Sequence, residues 1–284
     1  MSVVLHLSDT HFGTEQPQVV EALVALAAQQ RPDVVILSGD ITQRARPAQF
    51  RAARAFVDRL GAPVLAIPGN HDIALFDWWS RLFGPYARFA SAFGTELEPV
   101  HATADLLIVG VNTTRVWRHK HGEVSALQIA RVATVLAAAS AQQLRIVVVH
   151  QPAAVPEAGE RHNLLRGHAD ATRAWAAAGA DLVLGGHIHL PFTLLLHGVA
   201  RRLWVVQAGT AVSRRTRAGV PNSVNLLRWG GHCLIERWDF DQHTQAFAPA
   251  LVTVVQPDRA TPADLARAGT PLDTPRTPHA NGWR

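Results

Sequence analysis

One cysteine, one methionine and one tyrosine occur in 284 residues. With only Cys233, no disulfide can form within the chain. No apolar run approaches the ~18–20 residues that a membrane-spanning helix needs. The apolar start, Met1 to Leu7, has no basic stretch before it and no cleavage signal after it, so it reads as a buried strand and not as a signal peptide. Together these features place the expected location in the cytoplasm. Charge is also sparse: charged residues make up 17% and hydrophobic residues 48%, far from the composition of a disordered chain. The net charge of +5 is modest for this length and reads as a solvated surface more than as a polyanion-binding face. What is plentiful is histidine, with 15, several in short glycine-flanked clusters.

The first half alternates strand and helix. Apolar runs at 3–7, 34–37 and 64–67 read as strands. Helices opening at Pro17 and Pro47 lie between them, the first carrying Val19, Leu23, Leu26 and Ala27 on one face. This order predicts right-handed βαβ units and a mostly parallel sheet. Residues 76–93 are aromatic-rich and read as helical, broken at Gly84-Pro85. Strands at 106–111, 146–149 and 182–184 alternate with helices from Ser125 to about 139 and over 169–178. Strands at 192–196, 203–206, 224–227 and 234–240 follow with few helices, which predicts a second, more antiparallel sheet. Residues 1–256 are expected to form one catalytic domain, and 257–284, rich in Pro, Thr, Ala and Arg without periodicity, a mobile tail.

The chemistry sits at the strand ends. Five apolar strands run directly into ligand-type residues: Asp9-Thr10-His11, Gly39-Asp40, Gly69-Asn70-His71-Asp72, His150 and Gly186-His187-Ile188-His189. Carboxyl ends of parallel strands line one crevice, so these segments are expected to converge. Taken singly each has a bland explanation: Gly-Asp is a turn, and a His pair two residues apart is a packed pair. Taken together, they would gather carboxylates and imidazoles that repel or stay unpaired unless cations sit among them. Imidazole suits Zn, Fe or Mn, carboxylate can bridge, and the Asn amide oxygen is a neutral hard donor.

This set of motifs resembles the calcineurin-like metallophosphoesterase signature, from residue 3 to about 210. Within that superfamily it is most similar to bacterial class III cyclic-nucleotide phosphodiesterases. The resemblance implies a mixed α/β fold, a four-layer αββα sandwich with two central mixed β-sheets. It also implies two divalent metal ions (Mn, Fe or Zn). Asp9, His11 and His189 would hold the first, Asn70, His150 and His187 the second, and Asp40 would bridge them. A hydroxide shared by cations ~3.5–4 Å apart would attack phosphorus in line. Asn70 and His71 would stabilise the transition state, with His71 donating to the leaving group or a phosphoryl oxygen. Asp72 would orient His71 or a neighbouring ligand.

For the substrate, a phosphodiester such as a 3′,5′-cyclic nucleotide leads. Phosphoprotein phosphatases extend the second motif to Gly-Asp-x-x-Asp-Arg-Gly, whereas this chain has Gln43 and Ala45 at the last Asp and Gly. A phosphomonoesterase or phospholipid-headgroup hydrolase is the first rival. A DNA nuclease is less favoured, because no DNA-capture domain is evident, and nucleic acid is not an expected partner. A non-catalytic scaffold is least favoured, because every ligand position is filled. Relatives imply a homodimer. Arg115, and Arg214 and Arg217 of the loop 209–219 with Arg215 between them, are candidate phosphate contacts. The aromatics Phe76, Trp78, Trp79, Phe83, Tyr86, Phe89 and Phe93 read as core packing.

Overall fold

The computed structural model describes residues 1–74, 77–118 and 120–258. The expected mobile tail falls almost wholly outside them, but its start does not. The Asp258 carboxylate accepts the Arg202 N–H at 2.7 Å, and its carbonyl accepts from the Arg201 guanidinium.

Two six-stranded mixed sheets form the centre. The first has the order β12-β11-β10-β1-β2-β3: Ala246–Val255, Cys233–Asp241, Ser223–Trp229, Ser2–Leu7, Val34–Leu37 and Val64–Ala66. The second runs β4-β5-β6-β7-β9-β8: Val100–Ala102, Leu106–Gly110, Leu144–Val148, Leu182–Gly185, Leu203–Gln207 and Phe192–Leu196. Within the first, β1 pairs parallel with β2 and β2 with β3, and the three later strands add antiparallel beside β1. Within the second, β5, β6, β7 and β9 are parallel neighbours.

The four layers follow from the period-2 alternation of strands that are apolar on both faces. Leu5, Leu7, Val35 and Leu37 face outward onto α1 (Pro17–Gln30), α2 (Pro47–Asp58) and α4 (Ala87–Phe93). Their neighbours Val4, Val34 and Ile36 face inward against Ile108, Ile146, Val148 and Leu184 of the second sheet. Val109, Val147 and Val183 turn outward again, onto α5 (Ala126–Ala137) and α6 (His168–Ala177). Helix starts obey local chemistry. Pro17 and Pro47 open α1 and α2, and Ser125 accepts the Gln128 N–H while Gln128 Oε1 accepts the Ser125 N–H, a reciprocal cap on α5.

Two expectations need correction. No separate antiparallel sheet forms from the later strands. β10 and β11 extend the first sheet, while β8 and β9 close the edge of the second. The aromatic segment is also only partly core. Phe89 is fully buried, but Trp79 and Phe83, on α3 (Trp78–Phe83), stack on each other at 5.6 Å and are each about three-quarters exposed. Phe76 and the Trp78 side chain lie outside the described residues. No helix among the described residues is long and apolar enough to cross a membrane.

Candidate metal centre

The strand ends of both sheets meet at one seam. The loops after β1, β2 and β3 carry Asp9 and His11, Asp40, and Asn70. From the facing sheet come His150 after β6 and His187 and His189 after β7. Backbone hydrogen bonds stitch the first two loops together: Asp9 N–H to Gly39 O, His11 N–H to Asp40 O and Phe12 N–H to Ile41 O. Glycine is required where the loops touch. A Cβ on Gly69 would stand 2.0 Å from the Asp40 nitrogen, and one on Gly186 1.8 Å from Ser8 Oγ and 2.5 Å from Asp9 Oδ2. Asp9, His11, Asp40, His187 and His189 all adopt left-handed backbone, with φ between 42° and 76°. Such conformations are costly for residues other than glycine and cluster where function over-determines the chain.

Three overlapping groups of ligand atoms result among the described residues, and two of them hold the expected ligands. In the first, Asp9 Oδ1 lies 3.3 Å from His189 Nε2 and 3.7 Å from His11 Nε2, and the two imidazole nitrogens are 3.4 Å apart. Atoms bound to one cation at ~2.0–2.2 Å stand apart by similar distances. In the second, His150 Nε2 is 3.2 Å from Asp40 Oδ1, and His187 closes the group. Asp40 lies between the two, with its Oδ2 3.8 Å from His11 Nε2. Asp9 Oδ1, Asn70 Oδ1, His150 Nε2 and His187 Nδ1 are buried side-chain atoms with no hydrogen-bond partner. Buried polar atoms are nearly always paired, so four orphans aimed at two points fit a pair of cations.

The other atom of several ligands is held. His150 Nδ1 donates to Ser38 O at 2.8 Å, Asp9 Oδ2 accepts the His187 N–H at 2.8 Å, and His189 Nδ1 is bonded to the Arg215 carbonyl. Such contacts fix ring orientation. Burial opposes ionisation of Asp40, but His150, His71 and His11 overcome it and hold the carboxyl well below its usual range. Asp9 is likewise held low by His189 and His11 against burial. Burial keeps His11 below its ordinary value, and burial with His150 brings His187 down to about 3. Burial pulls His150 down too, but Asp40 and Asp9 push it up to about 9. Ionised carboxylates beside the neutral imidazoles of His11 and His187 make a donor set suited to cations.

His71 belongs to neither of these two groups, but with His11 and Asp40 it makes a third set of ligand-type atoms close enough to share an ion. Its N–H donates to Asp40 Oδ1 at 2.8 Å, and Nδ1 donates to Gln43 O at 2.8 Å. That leaves Nε2 facing a cavity of about 560 Å³ lined by Asn70, His71, Gln43 and Arg215 among others. Of the two roles expected for Asp72, orienting His71 or a neighbouring ligand, its contacts match the second. Its fully buried carboxylate does not touch the His71 ring. It accepts the backbone N–H of Ile41, Thr42 and Gly69 and the Thr42 hydroxyl, and so clamps the Asp40 loop to the Asn70 loop. Burial and Asp40 raise its pKa to about 6 against these bonds. Asp72→Ala strands those donors, and each unsatisfied buried group costs about 1–3 kcal/mol. Urea denaturation is expected to show a loss of about 3 kcal/mol or more, and an unshifted midpoint would refute the clamp.

The arginines divide differently from expectation. The Arg115 guanidinium turns away from the cleft to Asn112 O, Thr114 O and Gln128 Oε1. Arg214 is exposed and lines neither cavity beside the centre. Arg217 lines a second lobe of about 410 Å³ next to His189, with its guanidinium 2.7 Å from Glu160. Arg215 is the one that enters. Its Nη1 reaches 3.2 Å from His71 Nε2, 3.1 Å from Gln43 Oε1 and 3.4 Å from His11 Nδ1. Three arginines in one polar loop look alike in sequence; only the path of the loop around His189 selects the middle one.

The pattern of one protein family, the calcineurin-like phosphoesterases, matches residues 2–191. The chain belongs to the calcineurin-like phosphoesterase family. Enzymes of this family use two divalent metal ions. Over 83 residues the chain is 37% identical to a glycerophosphodiester phosphodiesterase of Enterobacter lignolyticus, covering 25% of this chain and 29% of that protein. Over 206 residues it is 26% identical to a cAMP/cGMP dual specificity phosphodiesterase of Mycobacterium tuberculosis, covering 66% and 61%. It thus spans less than two thirds of the length of either relative. Among solved structures, a dimetal phosphatase from Danio rerio superposes with a TM-score of 0.66 at 13% identity, covering 90% of this chain and 99% of that one. A purple acid phosphatase from yellow lupin gives 0.68 at 13% identity, covering 97% and 57%. At that identity these two likenesses speak for the fold alone, and they agree with the layered mixed sheets described above.

Proposed function

We propose that this calcineurin-like phosphoesterase is a dinuclear phosphodiesterase acting on a cyclic nucleotide or a related small diester. The observation that carries the reading is the pair of buried ligand groups sharing Asp40 beside an open cavity. Asp9, His11 and His189 would hold one divalent ion, Asn70, His150 and His187 the other, and Asp40 would serve both. When bound, the ions supply Lewis acidity and a water of lowered pKa. The side chains do the rest. The Gln43 carbonyl takes the Nδ1 proton and orients the ring, so a doubly protonated His71, with Arg215 drawn from Nε2 to the substrate, would place its Nε2 proton on the departing oxygen. The Asn70 amide nitrogen and the Arg215 guanidinium donate to phosphoryl oxygens as charge builds there. The diester preference draws support from the printed activities of the two curated relatives and from Gln43 and Ala45, which replace the phosphoprotein-phosphatase residues.

The test compares cyclic AMP and bis-p-nitrophenyl phosphate with p-nitrophenyl phosphate, using Mn²⁺-loaded protein. Faster diester turnover is expected, and preference for the monoester would overturn the diesterase reading. His71→Ala is expected to retain two metal ions per chain by elemental analysis while turnover falls about 10²–10⁴-fold, the usual scale for a lost proton donor. Loss of metal in that variant would make His71 a ligand instead.

A further inference from the structure

Just beneath the metal centre the space between the two sheets changes character. On β1, β10 and β2 the inward side chains Val4, Leu227 and Ile36 are apolar. The next inward positions toward the centre are His6, Asn225 and Ser38, and all three are buried. Burial outweighs the nearby Asp9 carboxylate and lowers the His6 pKa to about 3, so the ring is neutral, with one donor and one acceptor. The neighbours decide which is which. The Asn225 amide nitrogen, which donates to Gln207 O at 3.3 Å, also faces His6 Nδ1 at 3.4 Å, so Nδ1 accepts. The ring proton then sits on Nε2, which donates to Ser38 Oγ at 2.9 Å, and the Ser38 hydroxyl donates to Leu7 O at 3.4 Å. The Ser38 N–H donates to the same carbonyl at 3.0 Å, and the Ser38 carbonyl accepts from His150 Nδ1 at 2.8 Å. The His150 ring lies so close to the following peptide that a Cβ on Gly39 would stand 2.6 Å from Nδ1.

We propose that His6 is a positioning residue for His150, acting through Ser38. The proposal rests on His150 being a metal ligand and reaches one residue behind it. The carbonyl that takes the Nδ1 proton decides that Nε2 is the nitrogen left for an ion. Ser38 O can do this only while its peptide is held, and the bond from His6 to the Ser38 hydroxyl is the side-chain part of that hold. A role in stability alone fits less well. The bonds at 3.3–3.4 Å are long. A leucine in place of His6 would extend the apolar layer, and Asn225 would keep Gln207 O while Ser38 kept Leu7 O, so no new buried group would lose its last partner.

The test is graded chelation of the Mn²⁺-loaded full chain, with retained ions counted by elemental analysis and His150→Ala marking the ion that His150 holds. In His6→Leu that ion is expected to leave at a chelator level about tenfold lower or less, the scale for a group that orients a ligand. In His6→Gln, whose amide can donate to Ser38 and accept from Asn225, it is expected to be held within about threefold of wild type. After exhaustive chelation the melting temperatures of all three proteins are expected to agree within about 3 °C, equivalent to ~1 kcal/mol. Wild-type retention in His6→Leu, or a lowered melting temperature without weaker retention, overturns the proposal. Should His6→Leu not fold, Ser38→Ala breaks the link at its other end and must show the same tenfold loss. If no ion of the wild type is sensitive to His150→Ala, the ligand assignment itself falls and the proposal with it; if one is, and only His6→Leu is without effect, the proposal falls alone.

Discussion

Asp40→Asn is expected to empty both metal positions and to stop nearly all turnover. The substitution is gentle everywhere except at the property in question. Asparagine tolerates the left-handed backbone that Asp40 adopts at φ 50°. Its amide oxygen can still accept the His71 N–H that now bonds Asp40 Oδ1. What disappears is one negative charge and one of two oxygens placed between the two ligand groups. Both ions lose a donor at once, and His150, 3.2 Å from the carboxylate, loses its counter-charge. Elemental analysis is expected to show less than one ion per chain, and kcat/KM for bis-p-nitrophenyl phosphate a drop of about 10³-fold or more, equivalent to ~4 kcal/mol of transition-state stabilisation. Circular dichroism is expected to match the metal-stripped parent. A variant that keeps two ions and full turnover would remove Asp40 from its bridging place.

Chelation is expected to lower thermal stability sharply. Each ion would take ligands from both sheets, so it ties the seam of the sandwich and has no equivalent site in the unfolded chain. At a thousandfold excess over its dissociation constant an ion adds about 4 kcal/mol. At about 2–4 °C per kcal/mol for a domain of this size, even one such ion raises Tm by about 8–16 °C. The sign of the pH effect follows from His150. Asp40 and Asp9 raise its pKa from 6.5 to about 9 when no cation is present, against the pull of burial. The protonated ring therefore stabilises the stripped protein fully below pH 6.5, and that contribution is lost as pH rises through about 9. Cation binding must displace the same proton, so the loaded protein gains as the stripped one loses. The gap in Tm is expected to widen between pH 6.5 and 9, with proton release on loading seen by calorimetry in buffers of different ionisation heat. A gap that narrows over this window would mean that His150 is not a ligand.

The parts of this molecule that are local were legible in its residues. Pro17, Pro47 and the Ser125–Gln128 pair mark helix starts because the first turn of a helix needs those groups. The apolar runs ending in Asp9, Asp40, Asn70, His150 and His187 mark strands of a crevice because each strand is covered on both faces. Membership of a sheet was not legible. The alternation in 234–240 says that one face is half-exposed, but β10 pairs with β1 across more than two hundred residues through backbone groups that every residue carries. β12 was missed because Pro249 breaks its strand pattern; as an edge strand it tolerates a residue without an N–H, and its pairing with β11 slips by one residue at Arg237/Trp238, beside Pro249. Arg215 and Asp72 act through direction and contact. Nothing in their neighbours in sequence separates Arg215 from Arg214, or a clamp on backbone N–H groups from a contact to His71.

The left-handed backbone at five ligand positions makes loss of activity a downhill path for a descendant of this chain. At Asp9, His11, Asp40, His187 or His189, glycine relieves steric strain of about 1–2 kcal/mol while costing ~0.5–1 kcal/mol in added freedom of the unfolded chain. It also dilutes a crowd of buried charges that only cations reconcile. Once selection for turnover lapses, the most stabilising single changes available lie at the residues that chemistry needs. The way back is uphill, because each restored side chain strains the chain before enough partners exist to hold an ion. A lineage that crosses this divide keeps the two sheets and their surfaces, and from then on only those surfaces can be selected.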